Sequence, residues 1–467
     1  MSDLDLSARF AAMQAAARAR PATPWEVREK RLRALLAMVT DNEAALVKAI
    51  SDDFGQRAKA ETELAEIFPT ITGIRHALRH GRKWMRPRRA PISILFRPAS
   101  NHIRPQPLGL VGIVAPWNYP LFLITGPLTS AFVAGNTAMV KVSEAAPQFA
   151  DWLAATAPRY FAADDLAIIT GGPEVAQAFT ALPFDHLLFT GSTAVGRHVM
   201  RAAAENLTPV TLELGGKSPA IIGPDYPIDK AAARILAGKC LNAGQTCIAP
   251  DYVLLPAGKE QEFVDAARRV VSRGYPALER NPDYTAVVNN RHFTRLAGYL
   301  DEARAGGATI VPLGGDVEEA ARTRRLPPTL VLNPRDEMRV MQEEIFGPLL
   351  PVLTYGKLDE AIDYVNRRDR PLALYLFDRQ PQHVRRVLEH TVSGGVTIND
   401  TILHIAQDDL PFGGVGPSGM GHYHGREGFM TFSKLKPVFH QARINGIGLF
   451  NPPYGRLFER MLKVLLR

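Results

Sequence analysis

From Leu110 onward, short apolar runs alternate with stretches of helical spacing, and this alternation restricts the chain to few architectures. Apolar runs at 110–115, 137–142, 166–170, 186–190 and 208–214 read as strands, with helical patterns in the gaps. A strand, a helix and a further strand place the strands parallel, with helices covering both faces of the sheet. A second series follows at 219–223, 252–256, 308–312, 328–332, 373–377 and 395–399. The expected fold is therefore α/β, with two consecutive units joined near Leu214–Lys217.

Before that alternation, residues 5–50 and 57–85 have apolar residues three and four apart and read as helix, until Pro87 stops the pattern. Residues 91–107 (PISILFRPASNHIRPQP) combine β-branched residues with repeated proline, which suits an exposed extended arm or hairpin rather than a central strand. A late strand near 430–440 completes that arm. An exposed strand normally pairs with something, so the arm implies a homo-oligomer, with a homodimer expected.

Composition excludes several function classes. With 467 residues, 46% hydrophobic and 22% charged, the chain is ordinary globular protein of two or three domains. Net charge is +8, part of it in Arg75, Arg79, Arg82, Lys83, Arg86, Arg88 and Arg89. No nucleic-acid motif accompanies that run, so it reads as a solvated helix end and no nucleic-acid partner is expected. Two cysteines, Cys240 and Cys247, cannot build a disulfide framework, and no Cys/His cluster has metal-ligand spacing. Cys240 reads as structural. The N-terminal MSDLDLSARF has no secretory pattern, and the apolar stretch Pro120–Gly135 is shorter than a bilayer span, so a cytoplasmic protein is expected.

Four segments carry candidate chemistry. Cys247 follows Gly244-Gln245-Thr246; polar neighbours place it on a turn, as a nucleophile or as a small buried hydrophobe. Glu213 ends the strand TPVTLEL and precedes two glycines; it is either a solvated strand end or a partly buried base. Asn118, in Pro116-Trp117-Asn118-Tyr119-Pro120, is held in a stiff turn, as an Asx turn or as an amide donor for an oxyanion. Phe189–Gly196 reads as strand, tight turn and helix start, a backbone that suits a phosphate but lacks the three-glycine fingerprint.

In this order and spacing, PWNYP, KVSE, FTGSTAVG, LELGGKSP, GQTC, EEIFGP and PFGGVGPSGMG resemble the signature segments of the aldehyde dehydrogenase superfamily over nearly the whole chain. The chain is most similar to the branch acting on aromatic and fatty aldehydes. The resemblance implies a Rossmann-like NAD(P)-binding domain (1–90 and 108–213), a catalytic α/β domain (214–413), an oligomerisation arm (91–107 and 429–442) and a C-terminal tail (443–467). It implies Cys247 as nucleophile, Glu213 as general base, and Asn118 sharing the oxyanion with the Cys247 backbone N–H. Lys141 and Glu144 would grip the adenosine ribose, Gly191 and Ser192 would lie at the pyrophosphate, and Glu344 and Phe346 would hold the nicotinamide ribose and ring. KVSE lacks the proline that many relatives have after the lysine; its opposed charges point to NAD, with NADP tolerated. Tyr119, Ile248 and the loop Thr401–His404 would line the substrate pocket.

The chemistry implied is coherent. No side chain accepts hydride, so a nicotinamide is required. Thiolate addition makes a tetrahedral oxyanion that expels hydride, and the resulting thioester is hydrolysed by a water that Glu213 activates. An apolar pocket would favour a small aldehyde of the cinnamaldehyde type, such as coniferyl aldehyde, ahead of medium- or long-chain aliphatic aldehydes. Acyl transfer to coenzyme A and a non-catalytic binding role are the rivals; Glu213 disfavours the first, and an intact Cys247, Glu213 and Asn118 disfavour the second. In the tail, Leu457, Phe458, Met461, Leu462 and Leu465 form one helical face, expected to dock on a subunit or, less readily, to touch a membrane peripherally.

Overall fold

A computed structural model describes residues 3–466. The expected first helix is three: Asp3–Ala19, Trp25–Thr40 and Glu43–Phe54, interrupted by Pro21 and Pro24 and then by a turn at Asp41 and Asn42. Proline lacks the N–H that a continuing helix needs, which accounts for the first break. The stretch expected as helix over 57–85 is Lys59–Thr62, a single π-helical stretch at Glu63–Ile67, and Phe68–Trp84.

The alternating strands assemble into two open sheets. The first has six strands in the order Gly419–Met420, Val210–Glu213, His186–Thr190, Leu110–Val114, Thr137–Lys141 and Leu166–Ile169, all parallel except the short Gly419–Met420 edge. The second has seven, in the order Thr309–Pro312, Thr329–Leu332, Leu349–Tyr355, Tyr252–Pro256, Pro219–Ile222, Ala373–Phe377 and Gly395–Ile398. Only its first pair is antiparallel. Val210–Glu213 belongs to one sheet and Pro219–Ile222 to the other, so the chain changes sheets across Leu214–Ser218. Leu349–Tyr355 has no counterpart among the expected strands: Pro351 interrupts its apolar run, and its ladder to Tyr252–Pro256 begins one residue later, at Val352.

A third sheet has three antiparallel strands, Arg88–Ala90, Ser100–Pro107 and Ser433–His440. Exposed Ile94, Leu95, Phe96 and Phe439 belong to this arm. The helix Phe122–Ala134 is buried on nearly every side, which explains why its sequence is apolar all round. The tail forms a helix at Arg456–Leu465 with no buried residue, and the Phe458 ring lies 6.3 and 4.6 Å from those of Phe450 and Tyr454. Among the described residues no helix is long and apolar enough to cross a membrane.

Candidate active site

The carboxyl ends of the six-stranded sheet meet the segments that lead into strands of the seven-stranded sheet at one cavity of about 530 Å³. Asn118, Gly191, Ser192, Glu213, Cys247, Glu344 and Phe346, distant in sequence, all line it. Open α/β sheets leave a crevice outside the strand ends, where loops can present side chains without breaking the ladder.

The turn before Cys247 is built by its neighbours. Asn242, Ala243 and Gly244 are successively left-handed, with φ of 52°, 51° and 72°. Ala243 is strained there, and the surroundings must hold it. Gln245 does so: its Nε2 donates to the carbonyls of Asn242 (2.9 Å) and Ala286 (3.1 Å), and its Oε1 accepts from the Val288 N–H (2.9 Å). The Asn242 N–H donates to Glu61 (3.1 Å). A Cβ on Gly244 would lie 2.3 Å from the Gly347 carbonyl oxygen, so glycine lets this turn pack on the segment that carries Glu344 and Phe346.

Asn118 is 3% exposed, and its Nδ2 donates to the Gln245 carbonyl at 3.1 Å, beside the nucleophile's turn. One of its two amide N–H groups remains for a ligand. Its own carbonyl accepts from Arg57 (3.0 Å) and Asn242 (3.0 Å). Arg57 pairs with Glu66 at 2.7 Å, with both side chains fully buried, and the second Glu66 oxygen accepts the N–H groups of Leu121 (2.7 Å) and Phe122 (3.2 Å). Thus the π-helical stretch delivers a carboxylate to the start of the helix behind Asn118. Nothing in the sequence pattern singled out Arg57, Glu61 or Glu66 beyond a charge among apolar neighbours.

Electrostatics set the protonation states. Both carboxylate oxygens of Glu213 are buried without a partner, and burial holds its carboxyl well above the usual carboxylate range. Burial also pushes the Cys247 thiol far up, and the carboxylates of Glu344 and Glu213 push it in the same direction. Burial lifts Glu344 to about 8, Asp251 adds to that, and the Gly216 N–H opposes it. Cys240, at the end of the helix Ile228–Cys240, is buried in the core and pushed up to about 12.

The remaining lining suits a dinucleotide. A Cβ on Gly215 would meet a Glu344 oxygen at 2.0 Å, so only glycine leaves that carboxylate its place. Ser192 caps the helix Thr193–Glu205 by accepting the Val195 N–H (3.4 Å), leaving the other first-turn N–H groups toward the cavity. Trp117 lies edge-on to Phe346 at 5.4 Å and forms an aromatic wall. Glu344 Oε1 is buried and unpaired, an acceptor free for a ribose hydroxyl. Lys141 is buried at the end of a neighbouring strand; its ammonium donates to the Val142 carbonyl (2.7 Å) and lies 3.8 Å from Glu144, which is half exposed.

The residues expected to line the substrate pocket lie outside this cavity. The Tyr119 hydroxyl bonds Thr246 (2.7 Å), Ile248 is buried, the Thr401 hydroxyl donates to the Arg234 carbonyl (3.1 Å), and His404 bonds Thr397 (2.9 Å). None of the four lines the large cavity; the Tyr375 ring, 6.3 Å from His404, places its hydroxyl on the Ile248 carbonyl next to Cys247. His292, Arg295 and Tyr299 line the cavity without having been singled out in the sequence.

Comparison with known proteins gives the same picture. The model of the aldehyde dehydrogenase family matches residues 2–438. A Pseudomonas aeruginosa protein named probable coniferyl aldehyde dehydrogenase is 54% identical, covering 98% of this chain and 95% of its own. Coniferyl aldehyde dehydrogenase of Pseudomonas sp. HR199 is 47% identical, over 94% and 92%. The solved substrate-bound state of Staphylococcus aureus AldH superposes with a TM-score of 0.93 at 37% identity, covering 99% of both chains. On this near-complete match the chain belongs to the aldehyde dehydrogenase family, whose members carry out NAD(P)-dependent aldehyde oxidation.

Proposed function

We propose that the protein oxidises aromatic aldehydes of the coniferyl type, with NAD as preferred cofactor and NADP tolerated. The observation that carries this reading is near-full-length identity of 54% and 47% to proteins named for that substrate, together with aromatic side chains behind the nucleophile. The six-stranded unit, 1–90 and 108–213, takes the dinucleotide and 214–413 supplies the nucleophile. The arm, 91–107 and 429–442, holds a homodimer in the cytoplasm, and the exposed tail, 443–467, docks on the partner subunit rather than on a membrane.

Cys247 adds to the aldehyde carbon. It reacts as the thiolate, its proton having passed to solvent; burial and the neighbouring carboxylates of Glu344 and Glu213 oppose that ionisation, which leaves Glu213 free to act on water. Asn118 and the Cys247 N–H receive the oxyanion; such donors contribute about 3 kcal/mol each in acyl transfer. Glu344 and Phe346 would hold the nicotinamide ribose and ring and Gly191 and Ser192 the pyrophosphate, and the bound nicotinamide would supply the hydride acceptor. Lys141 and Glu144 would grip the adenosine ribose. Collapse of the oxyanion leaves a thioester on Cys247, and Glu213 then deprotonates the water that cleaves it. Tyr119, Ile248, Thr401 and His404 form the back of the substrate side.

Steady-state kcat/KM across coniferyl aldehyde, benzaldehyde, octanal, acetaldehyde and succinic semialdehyde tests the substrate class. Coniferyl aldehyde should exceed acetaldehyde by roughly a hundredfold. Best activity on acetaldehyde or the charged semialdehyde would overturn the aromatic reading.

A further inference from the structure

Between the short helix Arg339–Gln342 and the strand Leu349–Tyr355 the chain is neither helix nor strand, and this stretch carries Glu344 and Phe346. Phe346 has φ of 47°, in the left-handed region, so its surroundings must hold it there. Two charged side chains that take no part in the chemistry above supply ties to this stretch. They are Lys217 and Asp251, 11% and 4% exposed.

Lys217 lies in the crossing from one sheet to the other, four residues after Glu213 and two after Gly215. An ammonium has three N–H groups, and all three are placed here. They donate to Asp251 Oδ1, to the Val340 carbonyl (2.8 Å) and to the Glu343 carbonyl (3.0 Å). The last turn of a helix leaves such carbonyls without partners, so the ammonium ends the helix Arg339–Gln342 where Glu344 must begin. The other Asp251 oxygen accepts the Ile345 N–H (3.0 Å), and the Asp251 N–H donates to the Ser218 carbonyl (2.8 Å).

The pair thus holds the two peptide groups that flank the Glu344 Cα, one by its carbonyl and the other by its N–H. A residue has only two soft backbone dihedrals, so fixing both neighbouring peptide planes fixes the direction in which its side chain leaves the chain. The same crossing receives that side chain: the Gly216 N–H bonds the Glu344 carboxylate, and Gly215 leaves it room. One short segment therefore carries Glu213, receives Glu344 and, through Lys217, sets the Glu344 backbone.

We propose that Lys217, paired with Asp251, is a positioning residue for hydride transfer: it fixes the peptide groups on either side of Glu344 and so sets where Glu344 and Phe346 hold the nicotinamide ribose and ring. This rests on the roles proposed above for those two residues. A general structural strut would support every reaction at Cys247, whereas a positioning pair of this kind supports only the one that needs the nicotinamide.

The test compares kcat/KM for NAD, with the aldehyde turned over best, against hydrolysis of 4-nitrophenyl acetate without cofactor. In the second reaction the Cys247 thiolate displaces 4-nitrophenolate, and water cleaves the acetyl thioester to acetate, so no hydride moves. Lys217→Met should lower kcat/KM for NAD by about ten- to a hundredfold and leave ester hydrolysis within about threefold of wild type. Asp251→Asn, which keeps the volume and an acceptor for Ile345, should shift the same ratio in the same direction by less, and it carries the comparison if Lys217→Met does not fold. Placed on Glu344→Gln, Lys217→Met should cost less than about threefold more, because both act through one contact. Equal losses of oxidation and ester hydrolysis, undiminished oxidation in both single variants, or losses that multiply fully in the double variant would each overturn the assignment. Undiminished kcat/KM for NAD in Glu344→Gln alone would instead sink the nicotinamide reading on which it rests.

Discussion

The Arg57–Glu66 pair makes the sharpest mechanical prediction, because it lies behind the oxyanion donor and touches neither substrate nor cofactor. Glu66→Gln leaves a fully buried guanidinium without its counter-charge, and turns an amide group toward one or both of the Leu121 and Phe122 N–H groups that the carboxylate now accepts. Breaking a buried pair from one side costs about 3–5 kcal/mol. An unsatisfied buried N–H adds about 1–3 kcal/mol, although the terms overlap. A loss near 4 kcal/mol in urea unfolding is therefore expected. Arg57 also grips the Asn118 carbonyl, so kcat should fall by roughly ten- to a hundredfold as the oxyanion donor shifts. Replacing both partners, Arg57→Met with Glu66→Met, removes the stranded charge and should be more stable than Glu66→Gln, while remaining below wild type because the Leu121 and Phe122 N–H groups have lost their acceptor. It should not recover kcat, since the Asn118 carbonyl still lacks its donor. A loss below about 1 kcal/mol in Glu66→Gln, or a double variant no more stable than the single, would refute the reasoning.

Four further outcomes follow from the same site. Cys247→Ala should abolish aldehyde oxidation while leaving NAD binding measurable by fluorescence, and Cys240→Ala, buried in the core, should keep most activity; swapped results would reassign the nucleophile. Glu213→Gln should accumulate the thioester, visible in mass spectra with a burst of NADH, unless thiol deprotonation fails first, in which case neither appears. Because the folded pKa of Glu213 is raised, its stabilising contribution is present at about pH 4 and is lost as pH rises through the folded value; Glu213→Gln should thus raise the melting temperature at about pH 8 more than at about pH 4. Wild type should prefer NAD over NADP by about ten- to a hundredfold, and Glu144→Gln should narrow that gap by removing a charge that repels the 2′-phosphate; better NADP kinetics in wild type would reverse the assignment.

Taken alone, the sequence determined what neighbours in the chain can encode. Alternating apolar runs specify the parallel sheets, repeated proline specifies the arm, and glycines after strand ends specify the turns at Thr190–Ser192 and Glu213–Gly216. Cys247, Glu213 and Asn118 stood out because each sits on such a turn. Tertiary structure alone decided what holds them. Glu66 meets Leu121 across 55 positions, Arg57 meets Asn118 across 61, and Gln245 meets Val288 across 43. A charge in an apolar helix looks the same in sequence whether it will be solvated or buried against a distant partner. The strand Leu349–Tyr355 was hidden for a related reason, since only its neighbours in the sheet make Pro351 tolerable. The bonds from Lys217 to the Val340 and Glu343 carbonyls belong to this second class, because what a polar atom pairs with depends on which surfaces close around it, and periodicity carries no record of that.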